Sequence, residues 1–247
     1  GIRNSGAGNA ARLLVAETAA RSVTALFEFL ANEVLDRQPP EIVEFLLDTT
    51  VLRELTPAAC DAATGRAGSA EMIGQLIDRD LFIVALGDQH YRYHHLFHDF
   101  LRAQLPQRQE RARDCSERAA AHFEAQGDPD EAIYHWIAAA RFDHVAATIE
   151  LEGEAYLRRG RLDTVAAWID AVPAAIVAEH PALQRLLGDL SRLRSRFDEA
   201  LAWYQTAERT WRERGDRAGI GRALRGQALV YLDTVRPTQA ESLLEEA

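Results

Sequence analysis

The residues best placed to do chemistry lie in one short run, Tyr91-Arg92-Tyr93-His94-His95-Leu96-Phe97-His98-Asp99-Phe100. Three histidines, an arginine and an aspartate crowd a stretch that is otherwise aromatic and apolar. Three kinds of chemistry are open to it. His94 and His98 stand one helical turn apart, with His90 just before them, so they could hold a metal if Cys60 or Asp99 closed the shell. A histidine at a helix N-terminus could instead donate a hydrogen bond to a phosphate oxygen, beside free backbone N–H groups and the positive end of the helix dipole. Arg92 would add charge there. The third reading is structural, with imidazoles packed among aromatics and capping the helix start.

The surrounding pattern says what positions this run. A helical spacing from about Ser22 to Arg37 carries Val23, Leu26, Phe27, Leu30, Val34 and Leu35, and Pro39-Pro40 stops it. Pro40 suits the first position of a new helix bearing Ile42, Val43, Phe45, Leu46 and Leu47. Thr56-Pro57 opens a second helix that Gly65 ends, and Ser69 opens a third with Met72, Ile73, Leu76 and Ile77. Leu81–Leu86 is a short run rich in β-formers, Gly87-Asp88-Gln89 a turn, and His90–Tyr93 a returning strand. Three helices, a hairpin and another helix make the winged-helix order, the hairpin being the wing.

From about Gln109 the chain reads as helix to its end, with a repeat. In a tetratricopeptide-type frame, helix A carries a small residue and then an aromatic, and helix B a small, a large and a small residue. Ala120, Phe123, Ala132, Trp136 and Ala139 fit, as do Gly153, Tyr156, Val165, Ile169 and Val172. Gly188, Ser191, Ala200, Tyr204 and Ala207 fit apart from Ser191, and Ala228, Tyr231, Ala240, Leu244 and Ala247 fit again. The steps between Ala132, Val165, Ala200 and Ala240 are 33, 35 and 40 residues, a degenerate solenoid. The small residues let paired helices approach, and the pairs stack because none buries its apolar stripe alone. Trp136 and Tyr204 fall on core anchors. Trp203 and Trp211 are less constrained and are candidates to line a groove.

Composition bounds the function. The 247 residues are 47% hydrophobic and 27% charged, with a net charge of −10, which disfavours contact with DNA. No apolar run is long enough to span a membrane, and Gly1-Ile2-Arg3-Asn4-Ser5-Gly6 does not read as a signal peptide. Cys60 and Cys115 form no C-x-x-C pair and read as small buried hydrophobes in a reducing compartment, the cytoplasm. There is no P-loop, no G-x-S-x-G elbow and no H-E-x-x-H, so the chain is not expected to be an enzyme or to hold a metal. Without an initiator Met, and with its last repeat ending abruptly at Ala247, it reads as a piece of a longer protein.

Leu46-Leu47-Asp48-Thr49-Thr50-Val51-Leu52-Arg53-Glu54-Leu55, Cys60-Asp61-Ala62-Ala63-Thr64-Gly65, Leu81-Phe82 and Tyr91–Phe97 together resemble the MalT-like LuxR-family regulators, signalling ATPases of the STAND class. The resemblance spans about residues 20–247. It implies a mostly α fold: residues 1–37 as the end of a preceding helical segment, 38–106 as a winged-helix domain, and 109–247 as a TPR-like superhelix cut at its C-terminal end. It also implies a parent with a P-loop ATPase module, which holds ADP against the winged helix at rest. An inducer or regulatory protein at the repeats, with ATP exchange, would open the parent to self-association and transcription. In that class a Met-His-Asp motif senses the β-phosphate. Aligned on Tyr93-His94-His95 it puts His94 in the sensing position, with Leu96 and Asp99 fitting and His95 standing where the class has Asp. Whether His94 or His95 faces the phosphate stays open. The fragment itself is expected to bind no cofactor and to make no direct contact with DNA or membrane. The alternative function is that of a helical-repeat adaptor whose solenoid binds a peptide or protein, with no nucleotide role.

Overall fold

The computed structural model describes residues 33–234 and 237–246, so most of the helical spacing read over 22–37 and the loop read over 1–10 lie outside the described residues. The fold is mostly helical, with one β-hairpin followed by stacked α-helical repeats. The chain divides into two compact units, residues 1–122 and 123–247.

In the first unit, α1 (Pro40–Thr49) starts on Pro40 and buries Ile42, Phe45 and Leu46. In α2 (Pro57–Thr64), the Thr56 hydroxyl accepts from the Ala59 N–H at 3.1 Å, and Gly65 closes the helix at φ 72°. Helix α3 (Ser69–Asp78) is capped from a distance: the Ser69 N–H donates to Asp61 Oδ1 of α2 at 2.9 Å, which locks the turn between the two helices. Strands β1 (Ile83–Gly87) and β2 (His90–Tyr93) pair antiparallel, Ile83 opposite Tyr93 and Ala85 opposite Tyr91, with an irregularity between Ala85 and Gly87. Asp88 and Gln89 both take positive φ, 46° and 63°, the sense of turn that matches strand twist.

The hairpin differs from the sequence reading at both edges. Leu81 and Phe82 precede the strand: Leu81 is buried and its N–H closes onto Leu76 O, while Phe82 turns through φ 54°. An apolar run alone does not separate a buried elbow from a strand. Leu55 adds an unforeseen third rung, exchanging two backbone hydrogen bonds with Tyr91 at 2.7 and 2.9 Å. The wing is thereby sewn to the segment between α1 and α2. Helix α4 (His95–Arg102), a 3-10 turn (Leu105–Arg108) and α5 (Gln109–Gln126) follow.

The repeats run through α6 (Pro129–Ala138), α7 (Phe142–Arg158), α8 (Leu162–Asp170), α9 (Ala174–Glu179), α10 (Pro181–Leu193), α11 (Phe197–Arg214), α12 (Arg217–Asp233) and α13 (Pro237–Glu246). The anchor positions Ala132, Trp136, Val165, Ile169, Ala200, Tyr204, Ala207 and Ala228 are buried. Glycine is required where aromatics lie flat on a neighbouring helix. A Cβ at Gly188 or at Gly226 would stand 2.6 or 2.4 Å from the Tyr204 ring, so that ring is clasped between α10 and α12. Its hydroxyl donates to Asp189 Oδ1 at 2.7 Å. Helix α9 was not foreseen; six residues between prolines are too few to show periodicity. Of the last anchors, Leu244 is 50% exposed, while Ala247 and the Ala240 side chain lie outside the described residues.

Candidate functional site

The histidine run begins where the wing hands over to α4. The His94 N–H donates to Phe82 O at 2.7 Å and its carbonyl accepts from the His98 N–H at 2.9 Å, so His94 is the N-cap residue by its backbone. Its side chain forms no capping hydrogen bond. The half-buried imidazole lies against the exposed ring of His95, centroids 4.4 Å apart and planes tilted by 36°. Arg92 is exposed on β2 and makes no ion pair among the described residues. The structure thus brings His94 and His95 together at the open start of one helix.

His90 and His98 go elsewhere. His90 Nδ1 lies 3.3 Å from Glu54 Oε2. His98 turns inward to the end of α1, its Nε2 2.8 Å from the Thr50 carbonyl. A carbonyl only accepts, so this nitrogen carries the proton. Burial outweighs that bond and lowers the His98 pKa below 6.5, so the ring is neutral at pH 7. Beside it, the Thr49 hydroxyl donates to Phe45 O at 2.7 Å, which leaves Tyr93 OH to donate to Thr49 Oγ1 at 2.6 Å. Among the described residues no three His, Cys, Asp or Glu side chains converge to hold a metal. Burial pushes the Cys60 thiol up to about 12 and the Cys115 thiol up to about 11, so neither is a ready nucleophile.

An unforeseen pair braces this unit. Asp48, 2% exposed, receives a two-pronged bond from Arg111 of α5, Nε to Oδ1 at 3.1 Å and Nη2 to Oδ2 at 2.6 Å. Arg66 approaches the same carboxylate at 3.7 Å. The signal was a lone Asp inside the apolar run Phe45–Leu52, which has no reason to be there unless paired. Helix α3, in the position of a recognition helix, carries Glu71 and Asp78 and no basic residue.

The repeats hold a cavity of about 420 Å³, bounded by α7, α10 and α12. These are helix A of three successive pairs. Five arginines line it, Arg158, Arg185, Arg192, Arg222 and Arg225, against two carboxylates, Glu154 and Asp189. Both carboxylates are engaged: Asp189 with Arg185 at 2.7 Å and with Tyr204, Glu154 with Arg158 at 2.8 Å and Arg185 at 3.5 Å. Burial raises the Asp189 pKa, opposed by Arg185 and the Tyr204 bond. Arg192 reaches Asp233 at 2.9 Å, Arg222 stands 3.9 Å from Asp216, and Arg225 has no ion pair among the described residues. Neither groove tryptophan lines this space. Trp203 is half-buried on α11. Trp211 is corrected to a core ring: it is 5% exposed and packs with Ala207 and Ala223, where a Cβ at Gly219 would meet it at 2.4 Å. The Arg222 guanidinium lies 5.7 Å from its centroid.

The family described as the MalT winged helix domain matches residues 31–113, and the tetratricopeptide repeat matches residues 179–247. The chain carries a MalT-like winged-helix domain followed by TPR-like repeats. It is similar to the HTH-type transcriptional regulator MalT of Vibrio parahaemolyticus, 27% identical over 228 residues, covering 90% of this chain and 25% of that protein. MalT of Yersinia pestis is 28% identical over 233 residues, 90% of this chain and 25% of the relative. The serine/threonine-protein kinase PknK of Mycobacterium tuberculosis is 28% identical over 255 residues, 98% of this chain and 22% of the kinase. The chain spans about a quarter of the length of the curated relatives it matches. Both matched domain types are non-catalytic, and the sequence has no P-loop. Among the described residues no helix is long and apolar enough to cross a membrane.

Proposed function

We propose that this chain is the regulatory, interaction-bearing segment of a longer cytoplasmic signalling protein. Its repeats receive the input, and the winged helix docks to other modules of the same protein rather than to DNA. The observation that carries this reading is the cavity on the A helices of three successive repeats, since stacked pairs use such faces to receive partners. An acidic helix α3 supports a winged helix that does not read DNA. A transcriptional output fits the MalT relatives, and a different output fits the kinase relative equally well.

Leu229→Trp in the native gene tests this, because it fills the cavity whatever its occupant. The strain should accumulate normal amounts of protein and reproduce the transcriptional profile of a null strain. A wild-type profile from the filled cavity, against a distinct null profile, would overturn the reading.

A second reading concerns the start of α4. Its first-turn N–H groups receive no side-chain cap, and two imidazoles flank them, a set suited to an anion such as the phosphate of ADP bound by a neighbouring ATPase module. On this reading His94→Ala in the intact protein weakens ADP retention and raises basal output. Unchanged ADP occupancy counts against it.

A further inference from the structure

This inference deepens the proposed input role and rests on it. We propose that the repeat cavity is a receptor for a small, multiply charged oxyanion, a phosphate ester or a polycarboxylate, gripped by Arg192, Arg222 and Arg225.

The chain is acidic, net −10, and has no lysine. Yet the wall of this one hollow has more guanidinium than carboxylate, and its two carboxylates are already taken up by Arg158, Arg185 and Tyr204. The surplus falls on three side chains. Arg192 is tethered to Asp233, which does not line the cavity; Arg222 has only a long 3.9 Å approach to Asp216; Arg225 has no partner among the described residues. Like charges gathered in a concavity repel one another, and a wall of low dielectric strengthens that repulsion. An anion relieves it and gains forked, charge-assisted hydrogen bonds that a lysine could not supply.

Shape narrows the occupant to a small molecule. A volume near 420 Å³ lies within the range of small-ligand pockets, roughly 300–1,000 Å³. The three surplus arginines come from α10 and α12 and converge on a hollow closed by α7. A stripe along one helix would suit an extended acidic peptide better. Leu157, Leu193 and Leu229 supply apolar wall for the carbon body of an ester or acid. Specificity is fixed from behind: Tyr204, clasped by Gly188 and Gly226, holds Asp189, and Asp189 holds Arg185. The site also contains its own reporter, because an anion that draws Arg222 away from Trp211 alters that ring's emission.

The test is calorimetric titration of the purified 247-residue chain with pyrophosphate and, separately, with citrate, at low ionic strength and again at about 0.5 M salt. Arg222→Ala and Arg225→Ala are exposed changes that should leave the circular dichroism spectrum intact. Each should weaken binding about tenfold, as losing one charge-assisted bond does. Arg209→Ala, an exposed arginine outside the cavity, should have no effect, and tryptophan emission of the wild type should change on saturation. Tighter pyrophosphate binding assigns a phosphate ester, and tighter citrate binding assigns a polycarboxylate; both support the inference. It is overturned if neither anion binds saturably, or if binding ignores Arg222 and Arg225. A failed titration beside a null-like Leu229→Trp strain removes the oxyanion and leaves the input role. Binding beside a wild-type-like strain does the reverse.

Discussion

The winged-helix unit and the repeats are held together in different ways. The first is stitched by polar bonds between elements: Asp61 to the start of α3, Tyr93 to Thr49, His98 to the end of α1, and Arg111 to the buried Asp48. The repeats also have bonds between helices, Tyr204 to Asp189 and Arg192 to Asp233, but add a close surface contact, with Tyr204 and Trp211 pressed onto glycines of neighbouring helices. Polar stitching fixes one arrangement of unlike elements, which a hairpin among helices requires. Flat aromatic-on-glycine packing seats α11 on α10 and α12, while Gly153 of the preceding pair meets Leu186 instead, and the A-helix face stays open to carry charge.

The largest expected effect is on the aromatic side of this comparison. Tyr204→Ala should cost about 3–5 kcal/mol, by leaving a cavity between α10 and α12 and stripping Asp189 of a donor; urea unfolding measures it. Arg111→Ala comes next, about 3 kcal/mol, because Asp48 would keep only the 3.7 Å approach of Arg66. If Arg111→Ala cost nothing measurable, the first unit would not be braced by polar bonds as described. A glycine pair sharpens the point. Gly226→Ala should destabilise by about 1–3 kcal/mol because Tyr204 occupies the space. Gly74→Ala in α3, with nothing within 4 Å, should stabilise by about 0.5–1 kcal/mol through helix propensity.

The smallest effect is on pH. His98 is lowered below 6.5 in the folded chain, so as pH falls through 6.5 the unfolded state takes up a proton that the folded state refuses. Stability should therefore fall on acidification from pH 6.5 down to the folded pKa. His98→Gln, which keeps a donor for Thr50 O, should flatten that slope in denaturation series at stepped pH.

The same contrast explains what the sequence revealed. The hairpin was legible because β-formers flank a turn containing Gly87, and the repeat because Ala132, Tyr204 and Ala207 recur in a fixed frame. Leu81 and Phe82 were misread because hydrophobicity does not distinguish a buried elbow from a strand. Trp211 was misplaced because its partner, Gly219, has no side chain to signal a close approach. The cavity was illegible altogether. Arg158, Arg192, Arg222 and Arg225 meet only once three helix pairs have stacked, and no local spacing records that. His94 and His95, by contrast, are neighbours in the chain and were found together.

Two places in the molecule could take an anion, the start of α4 and the repeat cavity, and one measurement separates them. Arginine side-chain NMR of the chain, titrated with pyrophosphate, should move the Nε–Hε signals of Arg222 and Arg225 while that of Arg92 stays still. Movement confined to Arg92, or no movement at Arg222 and Arg225 at saturation, would contradict the assignment of an oxyanion to the repeat cavity.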